Sequence, residues 1–146
     1  FLADPAALHP FYTRGFIFHE PERTGELIAK AYKHRNAARY LLVKGKTDLV
    51  ASAAGVGEAI DEPLVAAMEA IGGTGDIITG LLAAWTGMGR DVPSACALAS
   101  RIARMAGQLA DPDPGTQVIE IIEQIPAALA DLVDAPGASA RKDNGT

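Results

Sequence analysis

The residues best suited to chemistry cluster in a few short stretches of the chain. "GGTGD", residues 72–76, sets two glycines, a threonine and a further glycine ahead of a carboxylate. A glycine-rich turn that opens into a helix aims several backbone N–H groups at one point, at the positive end of the helix dipole. Glycine also permits the φ > 0 geometry of an anion-binding nest and a close approach of phosphate to the backbone. Asp76, in the first helical turn, is then a stabilised anion beside that point. Equally consistent with these residues is a plain helix start, with Asp76 as a local cap after a glycine turn. No Lys-Ser or Lys-Thr pair follows, so the stretch is not a Walker loop.

A second group is "KGKTD", Lys44 to Asp48, directly after the apolar run Tyr40–Val43. On residue type alone Lys44, at a strand end, reads as a solvated side chain. "HEPE", residues 19–22, reads as a helix entry, and His9, His19 and His34 lack metal-ligand spacing. Cys96 lies in an alanine-rich helix without a paired histidine, which describes a packing residue better than a nucleophile. Trp85 suits a core or an interface, and Arg101 and Arg104 fall off the apolar stripe of their helix, as on a solvated face.

The elements that must position these groups form an α/β pattern. Phe1–Ala3 and Phe16–Phe18 are short strand candidates, and Pro21 suits the first turn of a helix over residues 22–34. Tyr40–Val43 is the strongest strand, continuous and apolar as in a sheet covered on both faces. Leu49–Ala51 is expected to pair beside it. "SAAGVGEAIDEP", residues 52–63, reads as a loop from its glycines and proline, and residues 62–71 as a weak helix. From Thr74 the pattern is helical, and Ile77, Ile78, Leu81, Leu82, Ala84 and Trp85 cover nearly the whole circumference, predicting a buried helix. Gly87 and Gly89 end it. The next helix runs from about Pro93 to Ala110 with Ala95, Ala99, Ile102, Ala106 and Leu109 as its stripe. The last runs from about Gln117 to Val133, kinked or split by Pro126. The polar tail from residue 134 is expected to be disordered.

Composition bounds the function. The chain has 146 residues, the size of one domain, and 49% apolar residues, enough for a core. A net charge of -5 and 5% aromatics argue against a nucleic-acid binder. No apolar run is long enough to span a bilayer, and the N-terminus carries no leader pattern. The single cysteine suits a reducing cytoplasm. Phe1 begins in mid-strand character, and too few strands follow to close a sheet, so further strands are expected upstream or from a partner copy.

Taken together, "GGTGDIITGLLAAWTGMG" resembles the GTGD signature of the ribokinase-like superfamily. The likeness is greatest to its NAD(P)H-hydrate dehydratase branch, which is related to carbohydrate kinases. "LADPAAL" resembles the branch's Asp-Ala-Asp-Ala-Leu stretch, and "FIFHEPE" its Thr-Pro-His-Pro-x-Glu segment with the proline displaced. "LLVKGKTDLV" resembles its strand-Lys-Gly-strand element, and "AGQLADPDPGTQVIEIIEQIPAAL" its C-terminal helical closure. The resemblance covers residues 1 to about 132 and implies the C-terminal part of a ribokinase-like layered fold. It further implies ADP or ATP as cofactor, Mg²⁺ in the kinase version, and hydrated NAD(P)H or another small molecule as substrate. Gly73, Thr74 and Gly75 would give amides to the phosphates, and Asp76 would be the catalytic carboxylate. Lys44, Gly45, Lys46, Thr47 and Asp48 would flank the nucleotide, and His19 would approach the second substrate. Two other expectations stand beside this one: a sugar or vitamin-precursor kinase with the same site, and a nucleotide-binding or structural remnant. The remnant implies a homodimer or larger assembly that covers the open sheet edge, and the dehydratase a missing N-terminal half or strands from a partner.

Overall fold

The computed structural model describes residues 24–134. The strand candidates at Phe1–Ala3 and Phe16–Phe18, His9, His19, and the tail from residue 135 lie outside the described residues. The described chain is mixed α/β. It begins with α1 (Thr24–Ala31), followed by strands β1 (Tyr40–Val43), β2 (Asp48–Ser52) and β3 (Gly55–Ile60). A 3-10 turn over Ala66–Glu69 leads into α2 (Thr74–Gly87), α3 (Val92–Leu109), α4 (Val118–Glu123) and α5 (Ile125–Asp134).

The strands form a three-stranded antiparallel sheet in the order β1-β2-β3. Tyr40 pairs with Ser52 and Val43 with Leu49, as expected for the Tyr40–Val43 and Leu49–Ala51 runs. The segment 52–63 is not a loop throughout, because Gly55 to Ile60 forms β3, shifted in register by a bulge between Val50 and Ala51. Its glycines read as turn residues, but among the described residues β3 is an edge strand, and five of its six residues are not buried. Side-chain packing therefore matters little there, and main-chain pairing carries the strand. Residues 62–71 give only the 3-10 turn rather than a longer helix.

The long helix α3 is the scaffold, packing on α2, α4, α5 and all three strands. Asp91 caps its start by accepting from the Ser94 N–H at 3.0 Å, and a proline occupies its first turn. Ala95, Ala99, Ala103 and Ala106 are fully buried along it, so neighbouring elements approach closely. Ile102 and Ile121 have 0% exposure, and each contributes roughly 1.5–3 kcal/mol by its burial. Leu42 of β1 touches both this cluster and a smaller one of Val50, Ile60, Cys96 and Ala97, joining sheet to helices.

The helix from Thr74 is not buried all round. Ile77 and Ile78 are buried, whereas Gly75, Asp76, Thr79, Gly80, Ala83 and Ala84 are exposed. Of these only Ala83 and Ala84 are apolar, and alanine brings little apolar area that requires burial. Leu109, expected in the stripe of α3, is 38% exposed as the last residue of that helix. The C-terminal helix is split: Gln124 ends α4 and Pro126 lies in the first turn of α5.

Candidate functional site

The GTGD turn is built around Gly73, the N-cap of α2, held at φ 98 with no side chain capping the helix. Its carbonyl accepts the amides of Asp76 at 2.9 Å and Ile77 at 3.1 Å. The amides of Gly73, Thr74 and Gly75 therefore precede the first helical bonds and have no acceptor within the helix. A Cβ built on Gly73 would lie 3.1 Å from Cγ2 of Val118 in α4. Both backbone conformation and that contact call for glycine here. Asp76 is exposed, and Thr79 turns its hydroxyl back on the Gly75 carbonyl at 3.0 Å.

A carboxylate can head this apolar helix without being buried. Asp76 is on the solvent side of the first turn, where the helix dipole favours an anion and no desolvation opposes it. The turn therefore sets the helix-start amides beside an exposed carboxylate.

The Lys44–Asp48 turn has a different construction. Lys44 and Lys46 are exposed, Gly45 and Thr47 are half-buried, and Asp48 is buried. Asp48 Oδ1 accepts the Gly45 N–H at 3.0 Å, while Oδ2 accepts the Ser100 hydroxyl at 2.5 Å and Arg104 Nε at 3.0 Å. Its carboxylate is thus engaged inside the protein. Arg104 is not on a solvated face: it is 8% exposed and also donates to the carbonyls of Gly45, Lys46, Asp61 and Pro63. A buried guanidinium needs such saturation, because its fork of donors cannot be neutralised. Arg101 does stay at the surface, paired with Glu58. Surrounding protein lowers the Lys44 ammonium pKa; the Asp48 charge opposes that shift and the Arg104 charge adds to it.

Sequence reasoning missed Arg104 and Ser100. They stand four residues apart on an alanine-rich helix, so they share a face, and a polar pair on one face of an otherwise small-residue helix was the available signal. Their partner Asp48 lies 52 and 56 residues away in sequence, beyond any local pattern.

The remaining candidates fall into place as packing groups. Cys96 is 2% exposed, and burial raises its thiol pKa, which keeps it unreactive. Trp85 packs against the main core, its buried Nε1 has no hydrogen-bond partner, and Arg90 lies 5.5 Å from its ring centroid. An open groove of about 340 Å³ lies between α1 and the β2–β3 turn, lined by Ile28, Tyr32, Lys33 and residues 52–56, and includes none of the residues selected from sequence. Among the described residues no three His, Cys, Asp or Glu side chains converge as metal ligands. No helix among them is long and apolar enough to cross a membrane.

No family model matches the chain. It is 39% identical over 130 residues to an uncharacterized protein of Methanocaldococcus jannaschii, a match covering 88% of this chain and 56% of that protein. The chain therefore spans about half the length of the curated relative it matches. No solved structure matches.

Proposed function

We propose that the Gly73–Asp76 turn binds the phosphates of an adenine nucleotide. On this reading the chain serves an ADP- or ATP-dependent dehydratase that repairs hydrated NAD(P)H, within a ribokinase-like fold. One observation carries the reading: an uncapped, glycine-headed helix N-terminus with an exposed carboxylate in its first turn. Amides fixed in position before the ligand arrives stabilise charge on a transferring phosphoryl group without reorganisation. Asp76, in the first turn, accepts the proton of the substrate hydroxyl as that oxygen attacks the terminal phosphorus. The bond from that phosphorus to the nucleotide breaks, and AMP (from ADP) or ADP (from ATP) leaves. In the dehydratase the new ester then departs as inorganic phosphate with a proton from the neighbouring carbon. On this reading Lys44 contributes a cation from the end of β1, with Gly45, Lys46 and Thr47 shaping the nucleotide's flank. Mg²⁺, where ATP is used, enters with the phosphates, which with water supply most of its ligands.

A small-molecule kinase uses the same amides and carboxylate and differs in the acceptor alcohol. Two features favour assembly with further strands or a second copy. Among the described residues β1 pairs only with β2, and its four residues are all half-buried and uncharged. A cytoplasmic setting suits the lone buried thiol. Calorimetry of the chain with ADP and ATP tests the site. Recovery of nicotinamide absorbance from hydrated NADH supports the dehydratase, and ATP consumption that depends on an added alcohol supports the kinase. No heat with either nucleotide at millimolar concentration rejects both readings.

A further inference from the structure

Arg104 touches none of the residues Gly73 to Asp76, yet its hydrogen bonds tie together two turns that precede them in the chain. Nη2 donates to the carbonyls of Gly45 at 3.1 Å and Lys46 at 2.9 Å, while Nη1 donates to those of Asp61 at 2.9 Å and Pro63 at 3.3 Å. Nε is fixed on Asp48, whose other oxygen holds the Gly45 amide. Gly45 is therefore gripped at both its N–H and its C=O, immediately after Lys44. The Asp61–Pro63 turn leads into the segment that ends at Gly73. The helix that bears Arg104 also packs directly on α2, which begins with the GTGD turn.

We propose that Arg104 is a positioning residue: through Asp48 and the Gly45 and Lys46 carbonyls it fixes where Lys44 stands relative to the helix bearing Gly73–Asp76. This rests on the nucleotide reading of that turn. A planar five-donor fork can hold two loops at once, whereas a lysine's ammonium on a flexible stem cannot. Arg104 adds no charge to the phosphates itself. It acts by keeping the Lys44 ammonium in place, so its contribution to binding vanishes when Lys44 is absent.

A double-mutant cycle on the full chain reads this directly. ADP affinity is measured for wild type, Lys44→Met, Arg104→Lys and the double variant, with exposed Arg101→Lys as control. Amide exchange of residues 44–47 and 61–65 is followed by NMR without nucleotide. Each single variant is expected to weaken ADP binding about tenfold, as for a lost charged contact. The double variant is expected to match Lys44→Met alone. In Arg104→Lys the Gly45 amide should exchange faster, while α2 stays protected and Arg101→Lys changes nothing. Additive losses, unchanged ADP affinity in Arg104→Lys, or unchanged exchange at Gly45 overturns the inference. Wild type that takes no ADP, together with faster Gly45 exchange in Arg104→Lys, overturns the nucleotide reading and supports the clamp. If Arg104→Lys does not fold, the neutral pair Asp48→Asn/Arg104→Gln replaces it, with the same expected loss of ADP affinity.

Discussion

Asp48 Oδ2 and Arg104 Nε meet at 3.0 Å across 56 residues of sequence, with side chains 2% and 9% exposed. Removing one member leaves the other as an uncompensated buried charge. Arg104→Met should therefore destabilise the fold by about 3–5 kcal/mol, measured by urea unfolding. The double variant Asp48→Leu/Arg104→Met should recover much of that loss, because no lone charge then stays buried. A loss under 1 kcal/mol in Arg104→Met would show that water reaches Asp48.

Gly73 and Gly80 lie in the same helix region and should respond oppositely to alanine. Gly73 combines φ 98 with a Cβ position 3.1 Å from Val118 Cγ2. Strain of this kind costs about 1–3 kcal/mol, so Gly73→Ala should lower the melting temperature. Gly80 is exposed in mid-helix with nothing within 4 Å of an added Cβ. Gly80→Ala should stabilise by about 0.5–1 kcal/mol through helix propensity. Equal shifts of the two melting temperatures would contradict the positive-φ turn.

Acid should loosen α3 at its start. The Ser94 backbone N–H, with its hydroxyl as a smaller influence, holds the exposed Asp91 carboxyl below its ordinary pKa. Because the folded pKa is the lower one, the stabilisation is present above the ordinary carboxylate range and is lost as pH falls through the folded value. Asp91→Asn keeps an acceptor at the cap without the charge. Its melting temperature should lie below that of wild type at neutral pH and converge with it in acid. A difference independent of pH would locate the effect elsewhere.

Much of this architecture was legible in the sequence, and the parts that were not have physical reasons. The strands at Tyr40 and Leu49, the Thr74 and Pro93 helix starts and the break at Pro126 carry strong local signals in apolar runs, caps and proline. The strand β3 was hidden because an edge strand rich in glycine looks like a turn. The exposed face of α2 was hidden because Ala84 was counted with the large apolar residues, although it brings little surface that requires burial. Arg104 was read as solvated because its carboxylate partner lies on a distant strand. The Gly73–Asp76 turn kept the local form that its residues dictate, whereas Asp48 proved to be engaged with Ser100 and Arg104 in the interior.

Asp76 gives the most direct test of the central claim. It is exposed in the first turn of α2, so Asp76→Asn should change stability by only about 0.3–1 kcal/mol through the helix dipole. The measurement is recovery of nicotinamide absorbance from hydrated NADH in the presence of ADP, with ADP binding followed by calorimetry on the same samples. The account predicts that both proteins bind ADP and that Asp76→Asn loses at least about a hundredfold in rate, as for removal of a positioned base. Asp76→Asn that folds, binds ADP and restores the nicotinamide as fast as wild type would contradict it.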